Sequence, residues 1–283
     1  MKGAKGLSWG RLLLWFFTVM VLLYLAIPLL VVLPISFSSS SYLEFPPRSF
    51  SFQWYEKYFF DPSWTAATLF SFQLGLVTML VASLIGTLAA FGVTRGRFRG
   101  KSWFQVLILS PMIIPVIVIS IATYSFFAKL KLIESFLGLV IGHSVVAVPF
   151  VFINVSAALM GFDVTLEKAA SSLGANRMRT FLRVTFPLIR PGILTGALFA
   201  FIISFDELII TMFISGTRHT LPVRMWMDLW LEIDPTIAAV SSFLIILSMA
   251  ALLSAEWIRR QAQRKYDTAV KTEEGERWSS TTA

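Results

Sequence analysis

Apolar residues come in six long runs separated by short polar or charged segments, near 12–34, 66–93, 103–127, 134–160, 191–214 and 236–258. At about 1.5 Å of rise per residue, each run is long enough to cross roughly 30 Å of hydrocarbon as a helix. Inside lipid every backbone amide needs an internal partner, which helices supply. The pattern therefore predicts an all-α, polytopic membrane protein with six transmembrane helices. The first run follows Lys2, Lys5 and Arg11, and it is longer than the apolar region of a signal peptide. No small-x-small cleavage site follows it closely, so it reads as an uncleaved first helix. The fourth run is interrupted by His143, Pro149 and Asn154. Pro28, Pro111, Pro115 and Pro149 lie in or near spans, where neighbouring helices satisfy the carbonyls that proline frees. Residues 1–265 form one transmembrane domain on this reading, and the tail 266–283 is expected to be disordered.

Composition agrees. The chain is 56% hydrophobic and 14% charged, with 26 Phe and 9 Trp, whereas a soluble domain carries about a quarter charged residues. The net charge is +8, but the basic residues sit in short clusters between apolar runs, so nucleic acid is not an expected partner. With no cysteine, disulfides, thiolate metal sites and cysteine nucleophiles are excluded. The distribution of Lys and Arg sets orientation. Three precede the first span, four lie at 95–101, five at 161–190 and six in the tail, which makes eighteen on one side. The other side has six: Arg48, Lys57, Lys129, Lys131, Arg218 and Arg224. Both termini are therefore expected in the cytoplasm.

The first outer loop, about 35–65, opens with serines and Pro46-Pro47 and continues through Phe52, Trp54, Tyr55, Tyr58, Phe59, Phe60 and Trp64. Such aromatic density suits the outer membrane interface; a docking surface for an external partner is the second reading. The last outer loop, about 215–235, carries Trp226 and Trp230 beside Asp228 and Glu232.

The loop 161–190 is the most specific segment. Asp163 or Thr165 is placed to cap a short helix, on which Leu166, Ala169, Ala170 and Leu173 form an i, i+3, i+4, i+7 apolar stripe. Gly174 suits the position after that helix because it accepts positive φ. Asn176 is placed to cap a second short helix, and Pro191 to start the next span. The small side chains of Ala169 and Ala170 permit close approach by another protein.

These residues resemble the cytoplasmic signature of importer permeases in the ABC transporter superfamily. Its pattern is Glu-Ala-Ala, three residues, Gly, nine residues, Ile, one residue, Leu-Pro. Here it falls on Lys168-Ala169-Ala170, Gly174, Val184 and Phe186-Pro187 with the spacing intact. Lys168 stands where the family has glutamate, with Glu167 immediately before it; Val184 and Phe186 keep apolar character. The resemblance implies a fold like that of type I importer permeases, with Glu167, Lys168, Ala169, Ala170, Gly174 and Pro187 coupling it to an ATPase. Further segments resemble the second permease of spermidine/putrescine importers: Phe205-Asp206-Glu207, Phe213-Ile214-Ser215-Gly216, Leu221-Pro222-Val223 and Asp234-Pro235-Thr236-Ile237-Ala238-Ala239. Gln53-Trp54-Tyr55 and Asp61-Pro62 fit the same branch. The implied partners are two ATPase subunits, a second homologous permease, an external solute-binding protein and lipid, in the bacterial inner membrane. The implied solute is a polyamine, with ferric iron, opines and aminophosphonates as alternatives handled by relatives.

No catalytic constellation competes with that reading. His143 and His219 have no metal-ligand partner at helical spacing; His219 reads as a solvated loop residue and His143 as a satisfied interfacial one. There is no Gly-x-x-x-x-Gly-Lys phosphate loop, so ATP hydrolysis belongs to another subunit, and neither enzyme activity nor a cofactor is expected. A secondary transporter driven by an ion gradient would show inverted repeats with broken helices, and no matching halves are visible. Asp206 and Glu207 are two adjacent acids placed inside a span, in its outer half. Ionisable groups at that depth are costly and mark substrate pathways.

Overall fold

The computed structural model describes residues 9–231, 234–250 and 253; the expected disordered tail lies outside the described residues. All regular elements there are helical, apart from an isolated antiparallel bridge between Ser38 and Phe50. In chain order they are α1 (Trp9–Ile35), α2 (Gln53–Phe60), α3 (Pro62–Arg95), α4 (Lys101–Leu109), α5 (Val116–Leu130), α6 (Phe136–Met160), α7 (Thr165–Ser172) and α8 (Arg177–Thr180). There follow α9 (Phe186–Phe205), α10 (Ile209–Ile214) and α11 (Leu221–Leu231), then α12 (Thr236–Ala250). Four described helices are long and apolar enough to cross a membrane: Trp9–Ile35, Pro62–Arg95, Phe136–Met160 and Arg177–Phe205. Contacts divide the chain into two compact units, residues 60–231 and residues 1–59 with 232–283.

In the larger unit, α3, α6 and α9 pack on one another around Ala82, Ala90, Val151, Val155 and Ala200. Small residues allow this approach, as expected where lipid removes the hydrophobic drive between helices. Val151 of α6 lies between two glycines. A Cβ on Gly86 of α3 would stand 2.7 Å from the Val151 Cβ, and one on Gly196 of α9 would stand 2.9 Å from the Val151 Cα. A second apolar cluster joins Leu74, Phe127, Leu139, Ile210 and Ile214. Away from these cores, Leu76, Leu80, Leu84 and Leu88 repeat every four residues on α3 and are exposed. That stripe is suited to lipid or a neighbouring subunit.

Two expected spans are not single straight helices. The third apolar run breaks into Lys101–Met112 and Val116–Leu130, which meet at 102°. Pro111 lies in the 3₁₀ turn Ser110–Met112 and Pro115 caps α5; two prolines four residues apart each remove an N–H and crowd the preceding turn. The fifth run stops at Phe205 and resumes at Ile209. Its start also differs from expectation: Pro191 lies inside α9 and Pro187 in its first turn. A π turn, Phe181–Thr185, runs without interruption between α8 and α9. By contrast, α6 continues through Pro149.

In the smaller unit, the segment after α1 folds back on α2. Ser36 Oγ lies 2.8 Å from the Tyr55 hydroxyl, and the Trp54 indole N–H donates to Ser38 O at 2.8 Å. Lys57 Nζ meets Asp234 Oδ2 at 2.5 Å, and Phe243 of α12 packs against Tyr58 and Phe59.

Candidate functional site

The loop between α6 and α9 is built by local capping. Asp163 Oδ1 accepts the Thr165 N–H at 2.9 Å and Oδ2 accepts the Thr165 hydroxyl at 2.7 Å. The Thr165 hydroxyl and amide hold the Asp163 carboxyl below the usual carboxylate range. At the other end of α7, Gly174 has φ +83°. Its N–H donates to Ser171 O at 3.0 Å and the Ala175 N–H to Ala170 O at 3.1 Å. This is the paired arrangement of a Schellman C-cap, in which the left-handed residue is glycine because a Cβ is penalised there. Asn176 Oδ1 then accepts the Arg179 N–H at 2.8 Å and starts α8. Leu166, Ala169 and Leu173 stay exposed, Leu173 at 89%, so α7 presents an unsatisfied apolar stripe.

Glu167 and Lys168 face different surroundings. Glu167 Oε1 accepts the Thr185 hydroxyl at 2.8 Å and lies 3.4 Å from Arg95 Nη2. The Arg95 guanidinium also sits over the Phe162 ring, 5.2 Å from its centroid. One carboxylate thus ties α7 to the π turn ahead of α9 and to the end of α3. Lys168 is exposed and has no ion pair among the described residues. Ala169 and Gly174 are exposed and Ala170 is half-buried, and Pro187 lies two residues past Thr185.

The break in the fifth span has a local cause. Glu207 Oε1 accepts the Ile210 N–H at 2.9 Å, and Glu207 O accepts the Thr211 hydroxyl at 2.9 Å. Side-chain capping of this kind competes with the helical ladder and restarts it as α10. Asp206 ends α9 and is exposed, whereas Glu207 is half-buried. The expected pair of acids along one continuous helix is therefore a capping glutamate beside an open aspartate.

His143 was legible only as a satisfied interfacial residue, and the structure gives it a larger place. It is fully buried, with Nδ1 2.9 Å from Ser204 Oγ and Nε2 3.0 Å from Thr211 Oγ1. The Thr211 hydroxyl already donates to Glu207 O, so it accepts from Nε2–H, and Nδ1 accepts the Ser204 hydroxyl proton. A neutral imidazole thus splints both sides of the break to α6. The hint in the sequence was a lone polar ring in an apolar run. Among the described residues no cluster of His, Asp or Glu is arranged to hold a metal.

Apolar helices bundled through small residues, with an exposed capped loop helix tied to two spans, define a multi-pass membrane protein with a loop helix open to a partner. Residues 82–268 match the family described as binding-protein-dependent transport system inner membrane component. The chain belongs to that family and is a non-catalytic permease subunit of an ABC importer of the inner membrane; ATP hydrolysis resides in separate subunits. It is 29% identical over 263 residues to the spermidine/putrescine transport system permease protein PotC of Escherichia coli (strain K12), covering 93% of this chain and 99% of the relative. The putrescine transport system permease protein PotI of the same organism is 29% identical over 230 residues, covering 78% of this chain and 82% of PotI. The fold is shared with a chain in the crystal structure of a bacterial ABC transporter involved in the import of the acidic polysaccharide alginate. That likeness has a TM-score of 0.68 at 18% identity and covers 90% of this chain and 98% of the other.

Proposed function

We propose that the chain forms half of the translocation pathway of a polyamine importer. It pairs with a second homologous permease and two ATPase subunits, and an external binding protein delivers spermidine or putrescine. The observation that carries the substrate is the near full-length similarity to PotC. Both termini lie in the cytoplasm, a reading supported by the eighteen-to-six split of basic residues.

In this scheme the exposed stripe of α7 docks on the ATPase, with Ala169 and Ala170 at the contact and Lys168 as its outward charge. Glu167 works inward: through Thr185 and Arg95 it passes movement of α7 to α9 and α3. Gly174 fixes the turn at the foot of that lever, and Pro187 stands in the first helical turn of α9 at its head. Closure of the ATPase dimer then biases the spans between inward and outward openings. Asp206 is the pathway acid, open to a passing ammonium group, while Glu207 holds the break that presents it. A solute with two or more cationic nitrogens suits an exposed carboxylate at membrane depth, where an ionised acid otherwise costs several kcal/mol.

The test is uptake of labelled spermidine and putrescine in cells lacking other polyamine transport, with and without the complete system. Uptake that unlabelled polyamine competes away, and molybdate or ferric iron does not, supports the proposal. Competition by another solute class alone overturns the substrate and leaves the permease assignment standing.

A further inference from the structure

A pocket of about 470 Å³ opens at the N-terminal end of α3, lined by Ser63, Phe70, Gln73, Arg218, His219 and Arg224 among others. It lies at the opposite end of α3 from Arg95, which contacts Glu167 of the coupling loop. From Gln73 to Arg95 the helix rises about 33 Å at 1.5 Å per residue. If the coupling loop meets the ATPase, this pocket faces the external medium.

Its chemistry is cationic. Arg218 is exposed, lies 6.0 Å from the Phe70 ring centroid and pairs with no carboxylate among the described residues. Arg224 shares a 3.2 Å contact with Asp228 and covers the Trp64 ring at 5.5 Å. Its buried Nε nonetheless has no hydrogen-bond partner among the described residues, and neither does the buried Nδ1 of His219. Asp61 is a second acid nearby, and the Glu134 carboxyl lies against Gly216, two residues before Arg218. The Ser63 hydroxyl and amide hold its carboxyl below the usual range, at 2.6 and 2.7 Å, in capping α3. The positive end of the α3 dipole points the same way. A polyamine is repelled by such a lining, so this is not the seat of the transported cation.

We infer that the pocket formed by the start of α3 and the Thr217–Arg224 segment receives an acidic side chain of the external solute-binding protein. Guanidinium groups match a carboxylate fork. The volume exceeds what one small anion fills, and the apolar Ala66, Ala67, Leu69 and Phe70 walls suit the stem and neighbours of a protein loop. The inference rests on the importer reading, which requires such a protein to land at this end.

The experiment uses the assembled permease–ATPase complex in lipid nanodiscs, titrated with the binding protein of its own system loaded with spermidine. Arg218→Glu is expected to weaken binding about tenfold at low salt, with the difference shrinking as salt rises. Arg218→Lys is expected to restore most of it. Co-purification with the ATPase shows that each variant assembles. Because this chain has no cysteine, Arg218→Cys places one photoreactive label on it when its partners are made cysteine-free, and that label is expected to capture a segment of the binding protein containing Asp or Glu. Equal binding by Arg218→Glu at low salt, or labelling of lipid alone, overturns the inference, the latter in favour of a headgroup phosphate. Salt-sensitive loss of docking in a system that fails the polyamine uptake test overturns the substrate reading and not this one.

Discussion

Glu167 and Thr185 are 18 residues apart in the chain and joined by a 2.8 Å hydrogen bond from the threonine hydroxyl to the carboxylate. Arg95 approaches the same oxygen from the end of α3, so a single side chain links the loop helix to two spans. Lys168, at the signature's acidic position, points to solvent instead. The neighbouring glutamate thus has an internal partner set that the swapped lysine does not share.

Removing that link is expected to uncouple the subunit more than it unfolds it. Glu167→Gln, Thr185→Val and the double variant should show an interaction energy of about 0.5–1.5 kcal/mol in ATPase-subunit affinity. The ratio of ATP hydrolysed to solute moved should rise in each single variant. Strict additivity, with an unchanged ratio, would separate the two residues.

Gly174→Val is expected to cost about 1 kcal/mol or more, because φ is +83° and a β-branched residue is strained there. No atom lies within 4 Å of the added Cβ, so the penalty is conformational rather than steric. Membrane insertion should survive while ATPase co-purification falls. Normal transport by Gly174→Val would remove the turn from the coupling role.

Lys168→Glu tests the outward face. If Lys168 meets an acidic group or a carbonyl on the ATPase, the reversal weakens docking through like-charge contact, measured as ATPase-subunit affinity at low salt. Unchanged affinity would make Lys168 a solvated side chain.

The loop was readable because its chemistry is local. Asp163, Gly174 and Asn176 each announce a cap by residue type and spacing, and the structure places each in that role. The splint on the fifth span was hidden because it joins residues 61 and 68 positions apart, His143 to Ser204 and Thr211. Nothing in helical periodicity reports a contact of that range. The bend in the third run was obscured for a different reason: hydropathy scores composition, and Pro111 and Pro115 barely interrupt an apolar window. Likewise Glu207 read as an intramembrane charge because periodicity carried the helix through it, whereas its carboxylate caps the next turn.

His143→Leu leaves the Ser204 hydroxyl without its ring partner and is expected to lower the thermal midpoint of the complex, a cost of about 1–3 kcal/mol. Combining it with Ser204→Ala should cost little more, since both act in one network. A full additive loss would show that the imidazole does not splint the break.

The Lys57–Asp234 pair sets a pH dependence. Burial works to raise the Asp234 carboxyl, but the Lys57 hydrogen bond and the Thr236 hydroxyl and amide together hold it below its ordinary value. Its contribution is therefore fully present above the unfolded value near 3.9 and lost as pH falls through the lower folded value. The hydrogen-exchange protection factors of α2 should be unchanged from pH 7 to about 5 in the wild type. In Lys57→Met, where the ammonium is gone and burial remains, protection should already fall within that range.

ATP-driven uptake of labelled spermidine by proteoliposomes containing the complete complex and its binding protein tests polyamine import most directly. The wild-type chain is expected to give saturable uptake that stops without ATP, and Asp206→Asn to lower it severalfold while the subunits still co-purify. ATP-dependent uptake of another solute with none of spermidine, or full spermidine uptake by Asp206→Asn with Glu207→Gln, would contradict it.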